Sequence, residues 1–454
     1  MQFAAPPGSR PSRNVWLVVT TAVVALGAKF FYFIYAYSVN IFYYDQWDFL
    51  TPFFQGNVDS TELFLRQHGP HRLGLGLIVL KYLYSATHWN TRSEAFLIGS
   101  CVFVAMLLAI ILKRQLFGAL EYSDVAIPLI FLCLTQFETF IGAPDPAYGG
   151  LPLLLISGYC LALLVSNQLL RNTLILLLNF PLIYTGFGFF MGVITIGVFG
   201  LELYWRIRGM NNIMLWQSIL WVVLAILSLA SFFVHYTFMP AVDCFGASSH
   251  ALADYPWFVA LMFSAFLGPR YPLAPVTAAG LVGLLVAVAI FGLQSYKLLA
   301  PAPVGRSPKT VRIPLVVSVL VGYSLLFAFS ASVGRVCLGL PEAAQPSRYS
   351  TLLVPAYLGI YFFLLSLPVK ELRRIGVGLF LIVLLPAGLF VPVWAGHKLA
   401  DGKRAWAACY ARTQSVQYCD QSTGFQVYPH PEQNDLQVKL DFLRRNHLSF
   451  FRDF

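Results

Sequence analysis

Four short clusters hold the residues able to do chemistry. Tyr43-Tyr44-Asp45-Gln46-Trp47-Asp48 places two carboxylates three residues apart, on one side of a helical turn or bracketing a tight turn. Aromatics of interfacial type around such acids would desolvate them in part, raising their basicity while leaving access for a polar substrate. The bland alternative is that the acids simply end a hydrophobic span. Further along, Gln67-His68-Gly69-Pro70-His71-Arg72 sets two imidazoles and a guanidinium about a Gly-Pro turn. That grouping could gather an anion, with Arg72 offering a phosphate its bidentate fork. His68 and His71 lack a strong zinc spacing, so a divalent metal shared with Asp45 or Asp48 is compatible with the residues and not demanded by them. No other cofactor is called for.

The third cluster, Gln345-Pro346-Ser347-Arg348-Tyr349-Ser350, puts Arg348 where a loop meets an apolar run, at the level of lipid phosphates. An arginine there is a snorkelling anchor or a head-group ligand. Arg335 and Arg270 are weaker candidates of the same kind. The fourth is Gln136-Phe137-Glu138, followed by Ala143-Pro144-Asp145-Pro146. Glu138 stands in an otherwise uncharged stretch, where an acid costs about 2.5 to 3.5 kcal/mol at mid-bilayer, so it is expected to face a cavity or the interface. Lys29, inside the first apolar run, has no evident partner, and snorkelling accounts for it.

These residues need a scaffold, and composition says which. Apolar residues make up 58% of the chain and charged residues 11%, too little polar surface for a soluble exterior. Apolar runs recur near the roughly 20 residues that a helix needs to cross hydrocarbon. The candidate spans are 15 to 37, 95 to 112, 125 to 141, 150 to 167, 173 to 185, 187 to 204, 213 to 236, 273 to 296, 313 to 332, 350 to 369 and 376 to 394. The expected fold is therefore all-α, a polytopic transmembrane bundle of about ten or eleven helices. Thr185-Gly186-Phe187-Gly188 marks either a sharp turn or a kink. Residues 73 to 89 and 255 to 268 are too short to span and are expected to lie along the interface. Arg10 and Arg13 precede a first run too long for a signal h-region and followed by no small-residue cleavage site, so that run reads as an anchor.

The net charge of +10 falls in alternate loops, at Lys113, Arg114, Arg171, Arg206, Arg208, Lys297, Lys309, Arg312, Lys370, Arg373 and Arg374. The positive-inside rule puts those loops and the N-terminus in the cytoplasm, and no nucleic acid is needed to explain the charge. The other face then carries the loop 38 to 94 and the segment from 396 on. The chain divides into a membrane domain, 1 to 395, and a small extracytoplasmic segment, 396 to 454. In the latter, Asn434 is expected to cap a helix from Asp435 to about Arg445 with Leu436, Leu440 and Leu443 on one face. Cys409 and Cys419 form a disulfide if this segment meets an oxidising compartment and stay reduced otherwise.

In their order, Tyr44-Asp45-Gln46-Trp47-Asp48, Gly69-Pro70-His71-Arg72, Gln136-Phe137-Glu138-Thr139, Ser347-Arg348-Tyr349 and the closing Leu448-Ser449-Phe450-Phe451-Arg452 make nearly the whole chain resemble the C-type glycosyltransferase superfamily, in particular its largely uncharacterised bacterial members. The resemblance implies a polyprenyl-phosphate-linked sugar as donor and a glycan, lipid or protein as acceptor, at the outer face of a bacterial inner membrane. It implies Asp45 as catalytic base and Asp48 as second acid, with Arg348 and Arg72 on the donor phosphate and His71, Tyr349 and Glu138 lining the site. Gln46 separates the acids that other members place side by side. From a different class, a transporter or flippase of a lipid-linked sugar or small solute would set charged or broken helices at the midplane of two related halves. Here the charges gather at one surface.

Overall fold

The computed structural model describes residues 13–56, 59–208, 215–240, 242–245, 250–268, 274–300, 308–432 and 434–452. Almost everything described is helical, and the strands among these residues are the pair Gln67–His68 and His71–Arg72, an antiparallel ribbon around Gly69 and Pro70. Seven described helices are long and apolar enough to cross a bilayer, Arg13–Tyr37 and Thr91–Phe117 among them. The remaining predicted spans fall on shorter helices such as Gly150–Ala162, Gln168–Ile183 and Leu215–Ser231. At Gly186, φ is +50°, a conformation glycine adopts without a Cβ penalty. This breaks the chain into two helices, Gln168–Ile183 and Phe189–Arg208.

Two predicted elements differ. The run 125 to 141 is not one span: it divides into Ala126–Phe131, a 3-10 turn and the single helical turn Glu138–Ile141. The segment predicted to lie on the surface near 255 to 268 forms the helix Asp254–Leu267, whose residues Phe258 to Leu267 are all buried in the bundle. Its neighbour Ala274–Leu299 crosses it closely at Gly280, where any Cβ would meet the Ala260 carbonyl at 2.5 Å. The other short segment, Gly74–Thr87, does keep one face exposed.

Packing resolves into two main cores. One runs through the helical bundle from Leu26 to Leu384. The other unites the 38 to 94 loop with the C-terminal segment: Phe42, Trp47, Tyr84, Trp406, Tyr410, Leu440 and Phe451 share it. The segment from 396 is therefore no separate appendage. It begins inside the helix Val393–Thr413 and folds back over the first loop. The helix Leu436–Arg445 buries Leu436, Leu440 and Leu443 as expected. Its N-cap is Asp435 rather than Asn434, whose amide instead bonds Asp48 at 2.6 Å. Cys409 and Cys419 are disulfide-bonded, and so are Cys244 and Cys337, a pairing not expected from sequence. Lys29, too, has a partner, donating to the Gly388 carbonyl and so tying the first helix to Lys370–Leu389.

Distant from these features, Lys113 and Asp124 form a fully buried ion pair at 2.8 Å. Tyr361 and the Glu121 amide also donate to Asp124, each at 2.7 Å. Removing one partner strands a buried charge, which costs about 3 to 5 kcal/mol, whereas replacing both with apolar groups costs little. Asp124→Ala should therefore lower the thermal unfolding midpoint in detergent well below that of the double variant Lys113→Met/Asp124→Leu. Equal midpoints would show that the pair carries no such strain.

Candidate functional site

The site is organised by the broken helix. Once the helix stops at Phe131, backbone groups in an apolar interior lose their i−4 partners and must be satisfied by side chains. Gln136 Nε2 donates to the Phe131 carbonyl at 2.6 Å. Lys403, buried in the Val393–Thr413 helix, donates to the Ile141 and Gly142 carbonyls at 2.9 and 2.7 Å. Gln46 Nε2 donates to the Pro144 carbonyl at 3.1 Å. The Glu138 amide donates to Ser347 Oγ at 2.8 Å, and the Ser347 amide donates back to Glu138 Oε2 at 2.7 Å. Apart from the local Gln136 bond, each of these brings a distant segment to the same stretch of chain.

Gln46 does this for the acidic motif. Besides Pro144, its Nε2 reaches Glu94 at 2.9 Å, while its Oε1 accepts from the Tyr43 amide at 2.9 Å. Glu94 also accepts from the Tyr84 hydroxyl at 2.7 Å. Tyr44 sits at φ +51°, and its amide donates to the Val427 carbonyl at 2.8 Å. A tyrosine held in that region costs on the order of 1 to 3 kcal/mol, sustained by the bonds around it. The turn leaves Asp45 exposed and Trp47 buried, with the indole donating to the Phe42 carbonyl.

Asp48 faces away from that opening. It accepts from the Tyr428 hydroxyl at 2.8 Å and from Asn434, and Lys439 donates to the neighbouring Trp47 carbonyl at 2.6 Å and to Thr51 Oγ1 at 2.9 Å. Burial raises the Asp48 carboxyl above its usual range against the Tyr428 bond, and burial lowers the Lys439 ammonium to about 8. Asp48 thus clasps the acidic turn to the C-terminal segment while remaining within electrostatic range of Asp45.

Two arginines meet at Tyr349, and one of them, Arg348, is within electrostatic range of Asp45. Arg335 and Arg348 flank the Tyr349 ring, 5.7 and 5.9 Å from its centroid. Tyr349, Asp45, Glu138 and Tyr148 lie within electrostatic range of Arg348. Tyr148 feels Asp145 and Asp45 on one side and Arg335 and Arg348 on the other. Burial, and then those carboxylates, keep its phenol protonated, a neutral donor at the centre of the group. Asp145, buried with one oxygen accepting from the Ala147 amide at 2.8 Å, is pushed up to about 7. An aromatic wall runs from Tyr148 through His71, Phe187 and Phe327 to Tyr349, with successive ring centroids between 4.3 and 6.0 Å apart.

No family model matches the chain, and no curated protein or solved structure is detectably similar to it.

Of the predicted residues, Asp45, Glu138, Arg348, Tyr349 and His71 come together. Arg72 does not take part: its guanidinium donates to the carbonyls of Phe232 at 2.7 Å, Leu65 and Val234, and it is buried against the Phe232 ring. Three of its five N–H donors are held by backbone carbonyls and the side chain is buried, so the fork is committed to the fold and not presented to a phosphate. His71 belongs to the wall, but as a neutral ring bonded to the Gly186 backbone. Burial, then Arg335 and His68, hold its imidazole down to about 3. Arg270 lies outside the described residues. No three His, Cys, Asp or Glu side chains among the described residues come together as a metal site. Sequence reasoning missed Lys403 and Tyr148. Lys403 sits in a polar helix where lysine is unremarked, yet an amphipathic helix with a lysine on its buried face would have signalled it.

His71 gives a pH dependence. Between about 3 and the ordinary 6.5, the unfolded chain binds a proton that the folded chain refuses, so stability falls as pH falls through that window. Acidification from about pH 7 to about pH 5 should lower the unfolding midpoint, and His71→Gln should flatten that slope. An unchanged slope in the variant would mean that His71 is not the group responsible.

Proposed function

We propose that this chain is a multi-pass membrane glycosyltransferase that moves a sugar from a polyprenyl-phosphate donor to an acceptor at the outer face of a bacterial inner membrane. What supports the reading is an accessible Asp45 within electrostatic range of Arg348, with Arg335 on the same Tyr349 ring and Tyr148 within range of all three. In this mechanism the Asp45 carboxylate takes the proton of an acceptor hydroxyl as its oxygen bonds to the anomeric carbon. The bond from that carbon to the phosphate oxygen breaks, and polyprenyl phosphate leaves with the electron pair. A phosphate is a good leaving group that needs cationic stabilisation rather than protonation, which two arginines supply. Glu138 holds the Arg348 turn through Ser347 and is a positioning residue.

The orientation rests on independent features. Basic loops alternate with the loops that carry Asp45 and Arg348, and both disulfides link segments on the side of the site, as expected of an oxidising compartment. The seven long apolar helices support the membrane setting.

Asp45→Asn should fold and insert normally yet lose roughly 10² to 10⁴ in transfer rate, the usual contribution of a general base. Arg348→Gln should lose about 10² to 10³. Both are measured in membranes given radiolabelled polyprenyl-phosphoryl hexoses, and the products are named by mass spectrometry of surface glycans from a deletion strain. Full transfer by Asp45→Asn removes Asp45 from the mechanism.

A further inference from the structure

Behind Asp45 an open cleft of about 500 Å³ lies between the acidic turn and the C-terminal segment, bounded by Tyr43, Glu138, Trp394, Lys398, Asp420 and Phe425. Its volume is within the ~300 to 1,000 Å³ of small-molecule sites. From its lining we propose that this cleft binds the acceptor of the reaction, and that the acceptor is an uncharged, hydroxyl-rich saccharide. The assignment rests on the transferase reading and narrows its acceptor to a glycan.

Three observations carry it. First, the walls are aromatic platforms: Tyr43 and Phe425 stack at 5.5 Å with 22° between ring planes, and Trp394 is 75% exposed beside them. Lys403 braces the Tyr43 ring from the buried side, its ammonium 4.6 Å from the centroid. The exposed Trp394 ring offers a platform to the apolar face of a pyranose, the stacked Tyr43–Phe425 pair offers its edges, and the convergent polar groups between them fix its hydroxyls. Second, those polar groups are carboxylates and an amide. Asp420 is oriented by the Trp406 indole, which donates to its Oδ1 at 2.6 Å, and Gln426 and Glu138 complete the set. Carboxylates accept hydroxyl protons in pairs, the bonding a sugar offers. Third, the charge is wrong for the donor. The lining itself carries two carboxylates and the one ammonium of Lys398, whereas Arg335 and Arg348 gather at Tyr349, so the cleft suits an uncharged ligand better than a lipid phosphate.

The connection to chemistry is short. Tyr43 and Tyr44 line the cleft and directly precede Asp45, and Glu138 borders the cleft while holding the Arg348 turn. A sugar bound there lies beside the acidic turn that carries the base and beside the turn that carries Arg348, as a reaction joining acceptor to donor needs.

The test is ligand-observed NMR on the full chain in detergent, with methyl glycosides of mannose, glucose and galactose, maltose and cellobiose as probes, and inorganic phosphate and a Ser/Thr-rich peptide as competitors. At least one saccharide should bind saturably. Phe425→Leu, which keeps bulk and loses the ring, and Asp420→Asn, which can still accept from Trp406, should each weaken it about tenfold or more, and neither competitor should displace it. Absence of saccharide binding, binding indifferent to both variants, or displacement by the peptide would overturn the assignment. Binding needs no turnover, so the two proposals fail separately. If saccharide binds in the cleft and polyprenyl-phosphoryl sugars are never consumed, the transferase reading falls. If transfer requires Asp45 and ignores Phe425 and Asp420, the acceptor assignment falls.

Discussion

A helix that stops inside an apolar bundle leaves backbone carbonyls with nowhere to go, and this constraint arranges the rest of the molecule. Between Phe131 and Gly149 those carbonyls and amides are met by Gln136, Gln46, Lys403 and Ser347. In hydrocarbon or protein interior an unmet peptide group costs several kcal/mol. Apart from Gln136, the side chains that satisfy them come from the first loop, the turn that holds Ser347, and the helix Val393–Thr413, so satisfying the backbone also assembles the site. Asp45 reaches the site because Gln46 beside it is bonded inward, and Arg348 because Ser347 beside it is bonded to Glu138.

The second constraint acts from outside. Tyr44 holds a backbone conformation unfavourable for a tyrosine, and it is pinned through Val427, while Tyr428, Asn434 and Lys439 grip the far end of the same turn. A rigid turn between an inner network and an outer clasp keeps an exposed carboxylate in one place. Preorganisation of that kind is what a general base needs, since misplacement by about 1 Å can cost roughly 10² in rate. The shared core of Trp47, Trp406, Leu440 and Phe451 makes the clasp part of the fold rather than a loose cover.

The helical bundle was legible because apolar run length is a direct reading of membrane thickness, and most predicted spans have a helix in place. Asp45, Glu138 and Arg348 were legible because a charge in apolar surroundings is conspicuous. Most of the failures share one cause: their partners are backbone groups or distant segments, which no local pattern reveals. Arg72 looked like a phosphate ligand because the carbonyls of Phe232 and Val234 are far along the chain. Asp48 looked like a twin of Asp45 because Tyr428 and Asn434 lie near the other end. The interrupted run 125 to 141 was read as one span because hydropathy is blind to a break whose peptide groups are satisfied by other side chains. The helix Asp254–Leu267 was placed at the surface by its length alone, although its apolar residues on all sides already pointed to burial.

The central claim is that Asp45 and Arg348 share one face of the membrane and one ligand. It is tested most directly by single variants Asp45→Cys and Arg348→Cys and by their combination, probed in sealed cells with a membrane-impermeant maleimide and then a short bismaleimide. The account predicts that both single variants label from outside and that the double variant cross-links within one chain. Labelling of the two positions from opposite sides, or labelling of both without any cross-link, would contradict it.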